Sequence, residues 1–192
     1  MTENYSAILY LVSSVCFIMA LRGLSSPDTS RQGNFFGIAG MVVAIGTTLS
    51  LPSVLSYEVI IAGIVIGGGI GTFVARKIEM TALPQLVAAF HSLIGLAACF
   101  VAAAAYYRPE AYGIGEFLEI RSASLVEMIL GLAIGAITFT GSVIAFGKLQ
   151  GLITGAPLVF KGQHFLNALL GIVLIALIVW IVQDQTEVGF WL

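Results

Sequence analysis

From Leu83 to Tyr107 the sequence carries no charged side chain. A helix that crosses the hydrocarbon core of a bilayer takes about 20 residues, so this run alone is long enough to do so. Five further apolar runs accompany it, and the expected spans lie near 5–21, 35–51, 59–74, 83–107, 125–146 and 165–182. Helices are the expected form, because a chain in lipid must satisfy its own backbone polar groups. The period-two alternation of a membrane barrel is absent. Composition agrees: 59% of the residues are hydrophobic and 9% charged, where a soluble domain carries about 25% charged. Mean hydropathy is +1.04. The expected fold class is therefore an all-α integral membrane protein, a bundle of about six transmembrane helices. A net charge of −2 with no basic patch argues against a nucleic-acid partner.

The punctuation between the runs fits these limits. "SSPDTSRQGN" (25–34) and "LPSVLSYE" (51–58) read as polar turns. Pro84 suits the first turn of the fourth helix. Ser124 and Glu127 read as a capping box opening the fifth. "LQGLITGAPLVFKGQ" (149–163) joins the fifth and sixth. Placing the N-terminus outside puts Arg22, Arg31, Arg76, Lys77, Lys148 and Lys161 inside, with Arg108 and Arg121 outside. That is six of eight basic residues on one side, so the positive-inside rule predicts an N-out, C-out chain. The first run lacks the basic start and small-residue cleavage site of a signal peptide. "DQTEVGFWL" (184–192) ends on an apolar, aromatic tetrad, which reads as the beginning of a further membrane segment, in a fragment of a longer membrane domain or a natural piece that needs partner helices.

Small and polar residues inside the runs carry the remaining information. Gly63, Gly67 and Gly71 form a doubled GxxxG on the third helix, and Gly131 and Gly135 repeat the spacing on the fifth. Such stripes let a neighbouring helix approach closely. "GGGIGTF" (67–73) is not a nucleotide loop, because it lies inside a span instead of between a strand and a helix. Cys16 and Cys99 sit singly in apolar runs and read as small buried hydrophobes. No metal-ligand spacing is present. Thr138 and Ser142 share a face of the fifth helix. Their hydroxyls either bond their own helix at the i−4 carbonyl or line a wet cavity between helices.

His91 is the sharpest feature. It lies roughly 12 Å from the inner end of its helix, at 1.5 Å per residue. Over residues 81–101 there is no Asp, Glu, Lys or Arg. Three readings are open: a neutral imidazole acting as interhelical glue, a proton carrier, or a haem ligand. The last would want a second histidine at matching depth, and His164 sits at a helix entrance. Intramembrane ionisable groups are costly and point to function, and an imidazole with a pKa of about 6.5 exchanges protons near neutrality.

"TSRQGNFFGIAGM" (29–41), "KIEMTALPQLVAAFHSLIGLAA" (77–98) and "GAITFTGSVIAFGKLQG" (135–151) resemble the β subunit of the proton-translocating nicotinamide nucleotide transhydrogenases, along essentially the whole chain and in order. The resemblance implies hydride transfer from NADH to NADP+ coupled to inward proton flow. It implies that His91 takes part in proton translocation, with Ser142 on the same pathway. NAD(H) and NADP(H) would be held by soluble domains, and this chain would bind no cofactor. The implied partners are the α subunit, the remaining β-subunit helices with their NADP(H) domain, the lipid bilayer of a bacterial inner membrane, and a second copy of the full enzyme in a homodimer. Gln85 and Ala82 stand where relatives often carry glutamates, a departure from the family's pattern. The competing expectation is a structural membrane anchor without its own proton path.

Overall fold

The computed structural model describes residues 3–51 and 56–191, and for Glu3 the backbone alone. The turn expected at 51–58 therefore lies largely outside the described residues. Among the described residues, six helices have the length and composition to cross a membrane. They are α1 (Glu3–Leu24), α2 (Ser30–Leu49), α3 (Tyr57–Lys77), α4 (Leu83–Tyr107), α5 (Ser122–Leu149) and α6 (Gln163–Asp184), followed by a short α7 (Glu187–Trp191). The protein is an all-α integral membrane protein, as the apolar runs required. Its chain divides into two compact units, residues 1–71 and 72–192.

In the first unit α1 and α2 form an antiparallel hairpin, fixed by contacts whose residue numbers run in opposite directions. The Tyr10 hydroxyl meets Thr48 Oγ1 at 2.9 Å, and Ser13 Oγ donates to the Gly40 carbonyl at 2.7 Å. At the closed end a Cβ on Gly23 would stand 2.5 Å from the Gly33 Cα, so two glycine backbones touch there. The polar turn is shorter than expected. Helix α2 already begins at Ser30, so Arg31 and Gln32 are helical and the bend is confined to 25–29. Helix α3 spans the boundary between the units and has no buried residue.

In the second unit the end of α3 is followed by a 3₁₀ turn, Met80–Ala82, that leads into α4, with Pro84 in its first turn. After α4 come a second 3₁₀ turn, Pro109–Tyr112, and a minimal antiparallel hairpin of β1 (Gly115–Glu116) and β2 (Glu119–Ile120). Its two-residue connection demands a positive φ, which Leu118 supplies at 66°. The expected capping box is not formed. Helix α5 starts at Ser122, the residue before it is Arg121, and no side chain caps it. The β2 strand delivers the chain directly into the helix, and Leu125 N–H already bonds the Arg121 carbonyl at 2.9 Å. Ser124 is thus inside the first turn.

A small core closes this end of the unit around Tyr106, Leu125, Ile120 and Phe190. Phe190 of α7 stacks on Tyr106 with ring centroids 4.2 Å apart. Gln185, at φ 47°, ends α6 and turns its side chain onto the hairpin. Its Oε1 accepts from the Ile120 N–H at 2.8 Å, and its Nε2 donates to the Ile120 carbonyl at 3.0 Å. One amide side chain thus does the work of a third strand. At the edge, Tyr107 donates to Glu187 at 2.6 Å and accepts from Trp191 Nε1 at 3.0 Å.

Polarity is arranged as lipid demands. Large apolar side chains such as Ile61, Ile134 and Ile172 face outward, while Ser13, Thr47, Ser92 and Ser142 are buried. Small hydroxyl residues at helix interfaces are what membrane packing favours.

Candidate functional site

The site is built on the antiparallel pair α4 and α5. Gly95 is the point of closest approach. A Cβ there would lie 2.5 Å from the Phe139 nitrogen and 2.7 Å from the Gly135 carbonyl oxygen. On the other side, a Cβ on Gly135 would stand 2.9 Å from the Gly95 carbonyl. Two facing glycines bring the backbones near enough for a side chain as short as serine to reach across.

One helical turn from Gly95, His91 Nδ1 stands 2.9 Å from Ser142 Oγ. Ser142 is 8% exposed. His91 lies at the exposed margin of the pair, and its Nε2 has no hydrogen-bond partner among the described residues. Further rungs continue along the same seam. Gln85 Nε2 donates to the Leu149 carbonyl at 3.3 Å, and the Cys99 thiol points at the Leu132 carbonyl at 3.8 Å. Gln85 Oε1 is buried and, among the described residues, unpartnered. No charged side chain stands on α4, nor on α5 between Glu127 and Lys148.

The other residues singled out in the sequence are distributed unevenly. Thr138 is half-buried, one turn from Ser142 on α5. Gly135 is in the seam, but a Cβ on Gly131 would have no neighbour within 4 Å, and the same holds for Gly63, Gly67 and Gly71 of α3. His164 is exposed at the start of α6. Among the described residues no cluster of His, Cys, Asp and Glu could hold a metal ion. Sequence reading missed Gly95. Its signal was its position four residues after His91, on the same helix face.

A histidine tied to a buried hydroxyl, far from any charge on its own helices, in a chain whose described residues form six membrane-length helices, defines a class. It is the polytopic membrane protein with an ionisable group set within the span. The sequence over residues 6–192 matches the family profile described as NAD(P) transhydrogenase beta subunit. The NAD(P) transhydrogenase subunit beta of Rhodospirillum rubrum is 60% identical over 164 residues, which cover 85% of this chain and 35% of the relative. A second sequence of the same description, from a named strain of that organism, matches with the same figures. The chain belongs to the NAD(P) transhydrogenase beta subunit family, and it spans about a third of the length of these curated relatives.

Proposed function

We propose that this chain is the proton-conducting membrane part of a transhydrogenase that couples hydride transfer from NADH to NADP+ with inward proton translocation. The observation that carries the reading is the His91–Ser142 contact at 2.9 Å across α4 and α5. It joins an imidazole, which can carry one ring proton or two, to a hydroxyl able to donate or accept. Family membership supports the setting.

In this reading His91 takes a proton from one side and releases it to the other, and Ser142 holds the ring in place. Thr138 lies one turn along the same stripe. Access alternates with the nucleotide state of a docked NADP(H) domain, a two-state element biased by its ligand. The membrane potential contributes about 2.3 kcal/mol per charge per 100 mV. The nucleotides bind to soluble domains of the complete enzyme, so this chain contributes no residue to hydride transfer. Its partners are the α subunit, further β-subunit helices and a second copy of the enzyme. Its setting is the bacterial inner membrane, with the N-terminus outside as the distribution of basic residues predicts.

The test is proton pumping by the complete enzyme in proteoliposomes. His91→Ala abolishes coupled pumping while the subunits still assemble. Pumping at the wild-type rate by the variant rejects the proposal and leaves His91 as interhelical glue in a membrane anchor.

A further inference from the structure

We infer that Ser142 holds neutral His91 in a single tautomer, with the ring proton on Nε2 and Nδ1 as acceptor. The inference deepens the proposed role of the His91–Ser142 pair and rests on the same contact. It follows from where the hydroxyl proton of Ser142 can go. A serine hydroxyl has one proton to donate, and a buried polar group left without a partner is costly. In a helix the usual acceptor is the carbonyl four residues back. Other hydroxyls of this chain use it: Thr140 bonds Ala136 O at 2.8 Å, Thr47 bonds Val43 O at 2.7 Å, and Ser14 bonds Tyr10 O at 2.9 Å.

Ser142 is different. Among the described residues its hydroxyl has one partner, His91 Nδ1, and the residue is 8% exposed. Its proton therefore points at Nδ1. A neutral imidazole carries one donor and one acceptor nitrogen, so Nδ1 accepts and the N–H sits on Nε2. That nitrogen has no partner among the described residues and is the one left to meet the rest of the proton path. Neither α4 nor the facing stretch of α5 offers a charge that would favour the other tautomer, and among the described residues the other titratable groups on this seam are the Cys99 thiol, on the Leu132 carbonyl, and Tyr106 at its far end, in one core cluster with Leu125 and Ile129. When the ring gains a second proton, it goes to Nδ1, and the bond reverses. Nδ1–H then donates to Oγ, and the serine changes from donor to acceptor in the pair. Ser142 is thus a positioning residue that makes the two ring nitrogens unequal.

The experiment is ¹⁵N NMR on the complete enzyme in lipid bilayers, with labelled histidine. The His91 signals are those missing from His91→Asn. Spectra are taken at a pH well above the ordinary imidazole pKa of about 6.5. The expected wild-type spectrum has a protonated Nε2 and an unprotonated Nδ1 shifted upfield by accepting a hydrogen bond. Ser142→Ala loses that shift, and Ser142→Thr keeps it. A protonated Nδ1 in the wild type, or an Nδ1 signal unchanged by Ser142→Ala, overturns the inference. The spectrum is read without turnover, so it stands or falls separately from whether His91 carries the pumped proton.

Discussion

The α1–α2 hairpin and the α4–α5 pair are made by the same device and used differently. Each is an antiparallel pair of apolar helices drawn together where glycine backbones touch: Gly23 on Gly33 in the first, Gly95 on Gly135 in the second. Each buries hydroxyls in the seam. In the first pair the buried hydroxyls of Ser13 and Thr47 end on backbone carbonyls, those of Gly40 and Val43. Those bonds have one state. In the second Ser92 likewise ends on the Ala89 carbonyl, but Ser142 ends on an imidazole, which has two protonation states. Close packing of small residues builds the scaffold, and one exchangeable partner converts a structural rung into a chemical one.

The comparison can be broken in several places. The largest expected effect is His91→Ala, which removes the exchangeable partner and with it coupled pumping in proteoliposomes. Next is Gly95→Ala, whose Cβ would meet the Phe139 backbone at 2.5 Å. Overpacking of this kind costs about 1–3 kcal/mol, so the variant enzyme should show a lower unfolding temperature together with reduced pumping. Ser142→Ala should lower pumping several-fold without abolishing it, because His91 remains while the bond that orients its ring is lost. A loss as complete as that of His91→Ala would mean that the serine does more than hold the ring. Gln185→Ala removes two bonds to Ile120. At about 0.5–1.5 kcal/mol each, the cost should appear as a lower unfolding temperature with pumping nearly intact. The smallest effect belongs to Ser13→Ala in the first hairpin, about 1 kcal/mol or less and no change in pumping. A pumping defect there would show that the two hairpins are not as different as their bonds make them.

The spans were legible because lipid leaves a chain few options: long apolar runs become helices, and the limits of α4 fall where Leu83 and Tyr107 put them. His91 was legible as the one histidine of its run, and Ser142 through its hydroxyl and the family resemblance. Their contact was not readable from residues alone, since it depends on the register that Gly95 and Gly135 set between two helices. The capping box failed because a strand, not a free loop, feeds α5. The third strand mimicked by Gln185 left no periodic signal, for it is a side chain and not a segment. The glycine stripe of α3 was plain in the sequence, yet no neighbour lies within 4 Å of it among the described residues.

The Gln185 clamp has a mechanical consequence. It ties the last turn of α6 to the hairpin between α4 and α5, so the second unit is pinned at that end. At the opposite end α5 and α6 are linked by the non-helical stretch 150–162, bounded by left-handed glycines at Gly151 (φ 73°) and Gly162 (φ 89°). Rods fastened at one tip swing most at the other. The α4–α5 seam is held along its length, from Gln85 on Leu149 through His91 on Ser142 to Cys99 on Leu132, so the rod that can swing against it is α6, most at its start near Gln163.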